Sequence, residues 1–166
     1  MMQTTILEHK EIVNKLQRIA WQIFEANYKE EEIILAGIKG NGFVLAKLIA
    51  NTLREISSIN ILVTELVVDK AAPFDHGITT DLEVTDFSNK VVILIDDVIN
   101  SGKTMMYGLK YFLEGPLKKL NTAVLVDRNH NRFPIRADFT GMRLSTSSQE
   151  HVKVTLSPNA FQAVLH

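Results

Sequence analysis

Apolar residues recur at helical spacing over residues 11 to 27, where Ile12, Leu16, Ile19, Ile23 and Phe24 are separated by lysines, glutamates and other polar residues, and this spacing predicts an amphipathic helix. The stretch EIILAGI, residues 32 to 38, is a continuous apolar run of strand length, the pattern of a strand covered on both faces. It breaks at Lys39-Gly40-Asn41-Gly42. Residues 43 to 56 resume a helical pattern, with Val44, Leu48 and Leu53 as its inward positions, and INILVTELVV, residues 59 to 68, predicts a second strand.

Between residues 69 and 89 periodicity is lost, and Pro73, His76, Gly77 and five acidic side chains collect there. A loop of that length inside a compact domain is a lid or a binding loop. Strand residues 91 to 95 follow, then a helix over 103 to 113 with Met105, Leu109, Phe112 and Leu113 as its stripe, ended by Glu114-Gly115-Pro116. TAVLVD (122 to 127) predicts a fourth strand and VKVTL (152 to 156) a late one. Strands alternating with helices predict an α/β fold with a mostly parallel sheet. Ligands in such sheets sit beyond the carboxyl ends of the strands. Three loops meet that condition, at 39 to 42, 96 to 103 and 127 to 134, and their convergence predicts one site.

Composition narrows the setting. The 166 residues suit one domain, and 46% hydrophobic with 22% charged residues is ordinary for a soluble globular chain. The absence of cysteine excludes disulfides and thiolate metal sites and suits the cytoplasm. MMQTTILEHKE lacks the apolar core of a signal peptide, and no apolar run approaches the roughly 18 residues of a membrane helix. A net charge of −1 supplies no general attraction to nucleic acid. None of the five histidines forms a pair at metal-ligand spacing, so none is read as a metal ligand.

The chemistry concentrates in VVILIDDVINSGKTMMYGL, residues 91 to 109. Its Ser101-Gly102-Lys103-Thr104 looks like the tail of a triphosphate-binding loop, but the position of that loop's first glycine is Asp97, preceded by Asp96. Two carboxylates at the mouth would repel a triphosphate. What remains is an apolar strand, a turn permitted by Gly102, and a helix start whose backbone N–H groups favour one anion, with the Ser101 and Thr104 hydroxyls as further donors. The carboxylates upstream suit hydroxyls or a metal-bound ligand. One phosphate with hydroxyls nearby describes a sugar phosphate.

The run Asp96-Asp97-Val98-Ile99-Asn100-Ser101-Gly102-Lys103-Thr104 resembles the phosphoribosyl-pyrophosphate (PRPP) signature of type I phosphoribosyltransferases. AVLVDRNHNRFPIRADFTG (123 to 141), the following STS, RIAWQIFEAN and LAGIKGNGFVLAKLIA are similar to the bacterial uracil phosphoribosyltransferases that double as RNA-binding attenuators of pyrimidine operons. The resemblance covers roughly residues 10 to 156. It implies a single phosphoribosyltransferase domain, with a flexible lid over about 69 to 89 and a small hood from about 127 to 156. It also implies a homo-oligomer, a dimer, that transfers the phosphoribosyl group of PRPP to a nucleobase, uracil or a related pyrimidine. Asp96 and Asp97 would take the ribose hydroxyls, as the catalytic pair, and Val98 to Thr104 the 5′-phosphate. Magnesium would be bound mainly through PRPP. Lys39, Gly40 and Asn41 would form the pyrophosphate loop, and Arg128 and Val152 would serve the base.

Two departures bear on that expectation. Gly40-Asn41 stands where the subfamily usually has Thr-Arg, and Asn41 brings no charge to the pyrophosphate. The lid lacks the subfamily's Tyr-Arg-Asp segment, and Lys70 is the only basic residue between Glu65 and Lys90. These losses keep open an alternative, a catalytically weak PRPP-binding regulator of pyrimidine metabolism. For RNA, Arg18, His130 and Arg136 are present, whereas Ala26 and Asn131 replace arginines, so RNA binding is not expected.

Overall fold

In a computed structural model describing residues 2–166, eight strands and four helices follow one another as β1 (Thr4–Leu7), α1 (His9–Asn27), β2 (Glu32–Ile38), α2 (Asn41–Ile56), β3 (Asn60–Leu66), α3 (Val84–Phe87), β4 (Val91–Ile99), α4 (Lys103–Phe112), β5 (Lys119–Asp127), β6 (Phe139–Arg143), β7 (Val152–Ser157) and β8 (Ala160–Leu165). Five strands form a parallel sheet in the order β3-β2-β4-β5-β6. The chain leaves β2 toward β3 on one side and places β4 on the other. The carboxyl ends of β2 and β4 therefore flank the point where strand order reverses, the crevice in which such sheets bind ligands.

Period-two alternation explains the two cores. On β2, Ile33 and Leu35 face α1 and α2, while Ile34, Ala36 and Ile38 face the side covered by α3 and α4. On β4, Val91, Ile93 and Ile95 take the first face, and Val92 and Leu94 the second. Both faces of the sheet are covered, which is why these strands are uniformly apolar. The helix starting at Asn41 buries Leu45, Ile49 and Leu53, one position round from the expected Val44 and Leu48, because Gly42 and Ala46 are the residues small enough to lie against the sheet. On α4 the covered positions are Met105, Gly108 and Phe112, while Leu113 is exposed beyond the helix end.

A second, antiparallel sheet of three strands has the order β1-β8-β7. It takes β7 and β8 from the C-terminal part and β1 from residues 4 to 7, and Leu7, Val154 and Ala163 join it to the main core. The strand Phe139–Arg143 belongs to the main sheet as its edge beside β5. The 69 to 89 segment carries some structure: Val67 pairs with Thr79, and α3 sits near its end. The Thr64 hydroxyl lies 2.6 Å from that of Thr80 and bonds Asp81, whose carboxyl that bond holds below the usual range.

Candidate active site

β4 extends four residues beyond the expected Ile95, in parallel register with β5 as far as Ile99 opposite Asp127. The acidic pair thus stands on a strand end and not in a free loop. Asp96 is enclosed, with 2% exposure, and Asp97 is half-buried. Asp96 Oδ1 accepts from the Asp97 N–H at 2.9 Å, and Asp97 Oδ1 accepts from the Val98 N–H at 2.8 Å. Burial, and then repulsion from Asp97, push the Asp96 carboxyl up to about 7, against the opposing pull of Lys70.

The loop after β4 is held from behind. The N–H of Arg128 donates to Ile99 O, and those of Arg132 and Phe133 donate to Ser101 O at 2.9 and 3.0 Å. Gly102 turns the chain with φ of 86°, and a Cβ there would lie 2.5 Å from Ile135 Cγ2. Both the left-handed backbone and the close approach require glycine. α4 begins at the next residue and directs its N-terminal N–H groups into the space above the loop. Asp96, Val98 to Met105 and Lys70 line a cavity of about 170 Å³ there.

Lys70 reaches the acidic pair from the lid. Its Nζ lies 3.2 Å from both Asp96 oxygens and 3.9 Å from Asp97 Oδ1. Its solitary positive charge in the lid is the sequence signal for this role.

On the other side, Gly42 packs so closely on β4 that a Cβ would lie 2.7 Å from Ile95 O, so the start of α2 abuts the acidic strand. Asn41 Nδ2 donates to Asp97 Oδ2 and to the Val154 carbonyl, both at 2.9 Å, joining the expected pyrophosphate loop, the acidic pair and the small sheet through one amide. Nothing in the sequence pattern signals the Val154 carbonyl as a partner. Lys39 is exposed, with its own N–H donated to Leu66 O, and Gly40 adopts a φ of 96°.

The two residues expected at the base are placed differently from the rest. Val152 opens β7 and packs partly buried against the main core. Arg128 lies behind the loop that follows β4, 4% exposed, with its guanidinium bonded to Thr146, Asn100, Ser147 and Glu150. Neither lines the cavity.

The carboxylate pair fits magnesium of the kind that takes most of its ligands from phosphate and water. Among the described residues no cluster of three or more acidic or histidine side chains would cage an ion by protein groups alone.

The family profile described as "Phosphoribosyl transferase domain" matches residues 2–158. The chain belongs to that family. This phosphoribosyltransferase is 37% identical over 161 residues to the "Bifunctional protein PyrR" of Alkaliphilus metalliredigens, covering 91% of this chain and 87% of that protein. It is 35% identical over 162 residues to the "Bifunctional protein PyrR 2" of Lactiplantibacillus plantarum, covering 94% and 93%. In fold it matches the hypoxanthine phosphoribosyltransferase of Trypanosoma cruzi with a TM-score of 0.76 at 13% identity over 98% of this chain and 95% of that one. A hypoxanthine-guanine phosphoribosyltransferase of Bacillus anthracis matches with a TM-score of 0.69 at 19% identity, covering 86% and 83%. The resemblance read from the motifs is borne out, and so is the α/β architecture of a mostly parallel sheet flanked by helices; the small sheet differs from the hood expected over about 127 to 156 in taking β1 from residues 4 to 7 and in leaving β6 to the main sheet. No helix among the described residues is long and apolar enough to cross a membrane.

Proposed function

We propose that this phosphoribosyltransferase moves the 5-phosphoribosyl group of PRPP to a pyrimidine base, uracil or a close relative, in the cytoplasm, releasing pyrophosphate. The observation that carries the reading is the joining of Asp96 and the loop from Val98 to Thr104 around one cavity at the switch point of the sheet. The choice of a pyrimidine rests on the likeness of residues 123 to 141 to bacterial uracil phosphoribosyltransferases.

In this reading the base nitrogen forms a bond to C1′ as the bond from C1′ to the pyrophosphate oxygen breaks, the electron pair leaves with pyrophosphate, and the proton of that nitrogen is lost to solvent. Positive charge spreads over the ribose ring and negative charge grows on the leaving group, so the protein's work is positioning and electrostatics. The α4 N-terminus and the Ser101 and Thr104 hydroxyls hold the 5′-phosphate. Asp96 and Asp97 orient the ribose hydroxyls. Lys70 must surrender its bonds to Asp96 when the ribose enters, which frees an ammonium on the leaving-group side. Magnesium, when bound, would supply positive charge that offsets the charge growing on the leaving group, and Asp96 and Asp97 are the residues that would hold it.

The test is product formation from PRPP and magnesium across a panel of nucleobases. UMP from uracil supports the reading, and a purine nucleotide would overturn the choice of base. PRPP binding with no product from any base would favour the regulator, which the neutral Asn41 and the Lys70 contact also suit.

A further inference from the structure

We propose that Arg128 is a positioning residue that couples the phosphate loop to the segment between β6 and β7, and that its guanidinium does not touch the base. The inference rests on the PRPP reading above. Nε donates to Thr146 Oγ1 at 3.0 Å, and one terminal nitrogen donates to Asn100 Oδ1 at 2.8 Å. The other donates to Ser147 O at 3.1 Å and to Glu150 O. A guanidinium has five N–H donors, so four are engaged in a side chain 4% exposed. A base edge could take this fork only by stripping buried acceptors of their partner.

The acceptors bonded to it are an amide oxygen, a hydroxyl and two carbonyls. The Glu150 carboxylate turns to the Ser147 N–H at 2.7 Å, a bond that holds its carboxyl below the usual range. A buried charge held by dipoles is expensive to keep, and what it supplies here is geometry. On one side is Asn100, inside the run that receives the phosphate. The Arg128 backbone N–H reinforces that side by donating to Ile99 O at 3.2 Å. On the other side is the 144 to 151 connection, which has no regular structure of its own and is fastened to β5 by the Leu144 N–H on Asp127 O. One planar group therefore sets the distance between the two walls, and a change of shape in either is felt by the other.

Thr146 decides the matter, because it stands across the guanidinium from the phosphate loop. Titration calorimetry of PRPP with magnesium, with no base present, is run on wild type, Thr146→Val, Thr146→Ser, Asn100→Ala, Arg128→Lys and the Asn100→Ala/Arg128→Lys pair. Coupling predicts that Thr146→Val weakens PRPP binding about fivefold or more, by loosening the fork, and that Thr146→Ser restores it. The loss in the paired variant should fall short of the sum of the two single losses, because the Asn100–Arg128 contact is common to both. Wild-type affinity in Thr146→Val, with Arg128→Lys raising only the KM for base, would overturn the proposal and return Arg128 to the base. Additive losses in the pair would also overturn it. Should Arg128→Lys fail to fold, the Thr146 series still decides. A wild type that binds no PRPP at millimolar concentration removes the PRPP reading itself, a result distinct from failure of the coupling alone.

Discussion

Asp96→Asn should stabilise the unliganded protein more and more as pH rises, while removing its PRPP binding. The carboxyl is almost fully enclosed and sits beside Asp97, so its ionisation is held off until about 7 instead of the usual 3.8. For a folded-state value raised in this way, the folded form is favoured at low pH, and that advantage is lost as pH climbs from the unfolded value through the folded one. Integrated over that window, wild type loses about half a kcal/mol by pH 4 and about 4 kcal/mol by pH 8. An asparagine has nothing to ionise and loses none of it. Its buried amide N–H needs an acceptor and costs about 1–3 kcal/mol where none is found, but that cost is the same at every pH. Loss of the Lys70 contact matters little, since that lysine is half exposed.

The diagnostic is therefore the change in the difference between variant and wild type with pH, not its value at one pH. For a chain of this size 1 kcal/mol moves Tm by about 2–4 °C. The Tm of Asp96→Asn relative to wild type should rise by on the order of 7–14 °C between pH 4 and pH 8. Thermal denaturation followed by circular dichroism, without PRPP or magnesium, measures it. A Tm difference that stays flat across this range would refute the reasoning, because packing or hydrogen bonding alone would then account for the variant.

Other perturbations test the remaining parts. Gly102→Ala forces a side chain into a φ of 86° and against Ile135, and should cost about 1–3 kcal/mol in denaturant unfolding while weakening PRPP binding. Ser101→Trp should fill the phosphate cavity and eliminate PRPP heats in calorimetry with the circular dichroism spectrum preserved. Asn41→Arg should raise kcat by about tenfold or more where leaving-group charge limits turnover, with a smaller gain in PRPP affinity. Should Lys70 already supply that charge, Asn41→Arg will change little, and Lys70→Ala will lower kcat at least about tenfold while changing the Kd for PRPP far less.

The parts of the fold and site legible in the sequence are those governed by local rules. The run from Glu32 to Ile38 was readable because both faces of β2 are covered, leaving no polar residue to blur it. The turn at Gly102 is readable because a left-handed backbone close against Ile135 admits only glycine, and glycine before a helical stripe marks a turn. β6 and β8 escaped because their residues mix exposed and covered positions over only five or six residues, too few for a period to show. The sequence pattern ends β4 at Ile95 because two aspartates look like a loop, although parallel pairing with β5 carries the strand past them. Arg128 shows a further limit. Its place behind the phosphate loop follows from Thr146, Ser147 and Glu150, whose approach depends on the path of β6 and not on anything adjacent in sequence. Asn41 is a parallel case, since the amide's second acceptor, Val154 O, is a main-chain atom that no side-chain pattern marks.

The small sheet has a consequence for how the molecule assembles. β1 meets β8 with Thr4 opposite Leu165, so two segments from nearly opposite ends of the chain are knitted together. Closing so long a loop in an unfolded chain costs on the order of 4–5 kcal/mol in entropy, and the cost falls only after the parallel sheet has already brought those segments near. Refolding should therefore proceed with the main sheet ahead of the three-stranded one. The Val154 carbonyl arrives with the later piece, so the amide of Asn41 finds its second acceptor only at the final stage. The half of the site built on β4 and α4 would be in place in a molecule whose opposite wall is still unbuilt.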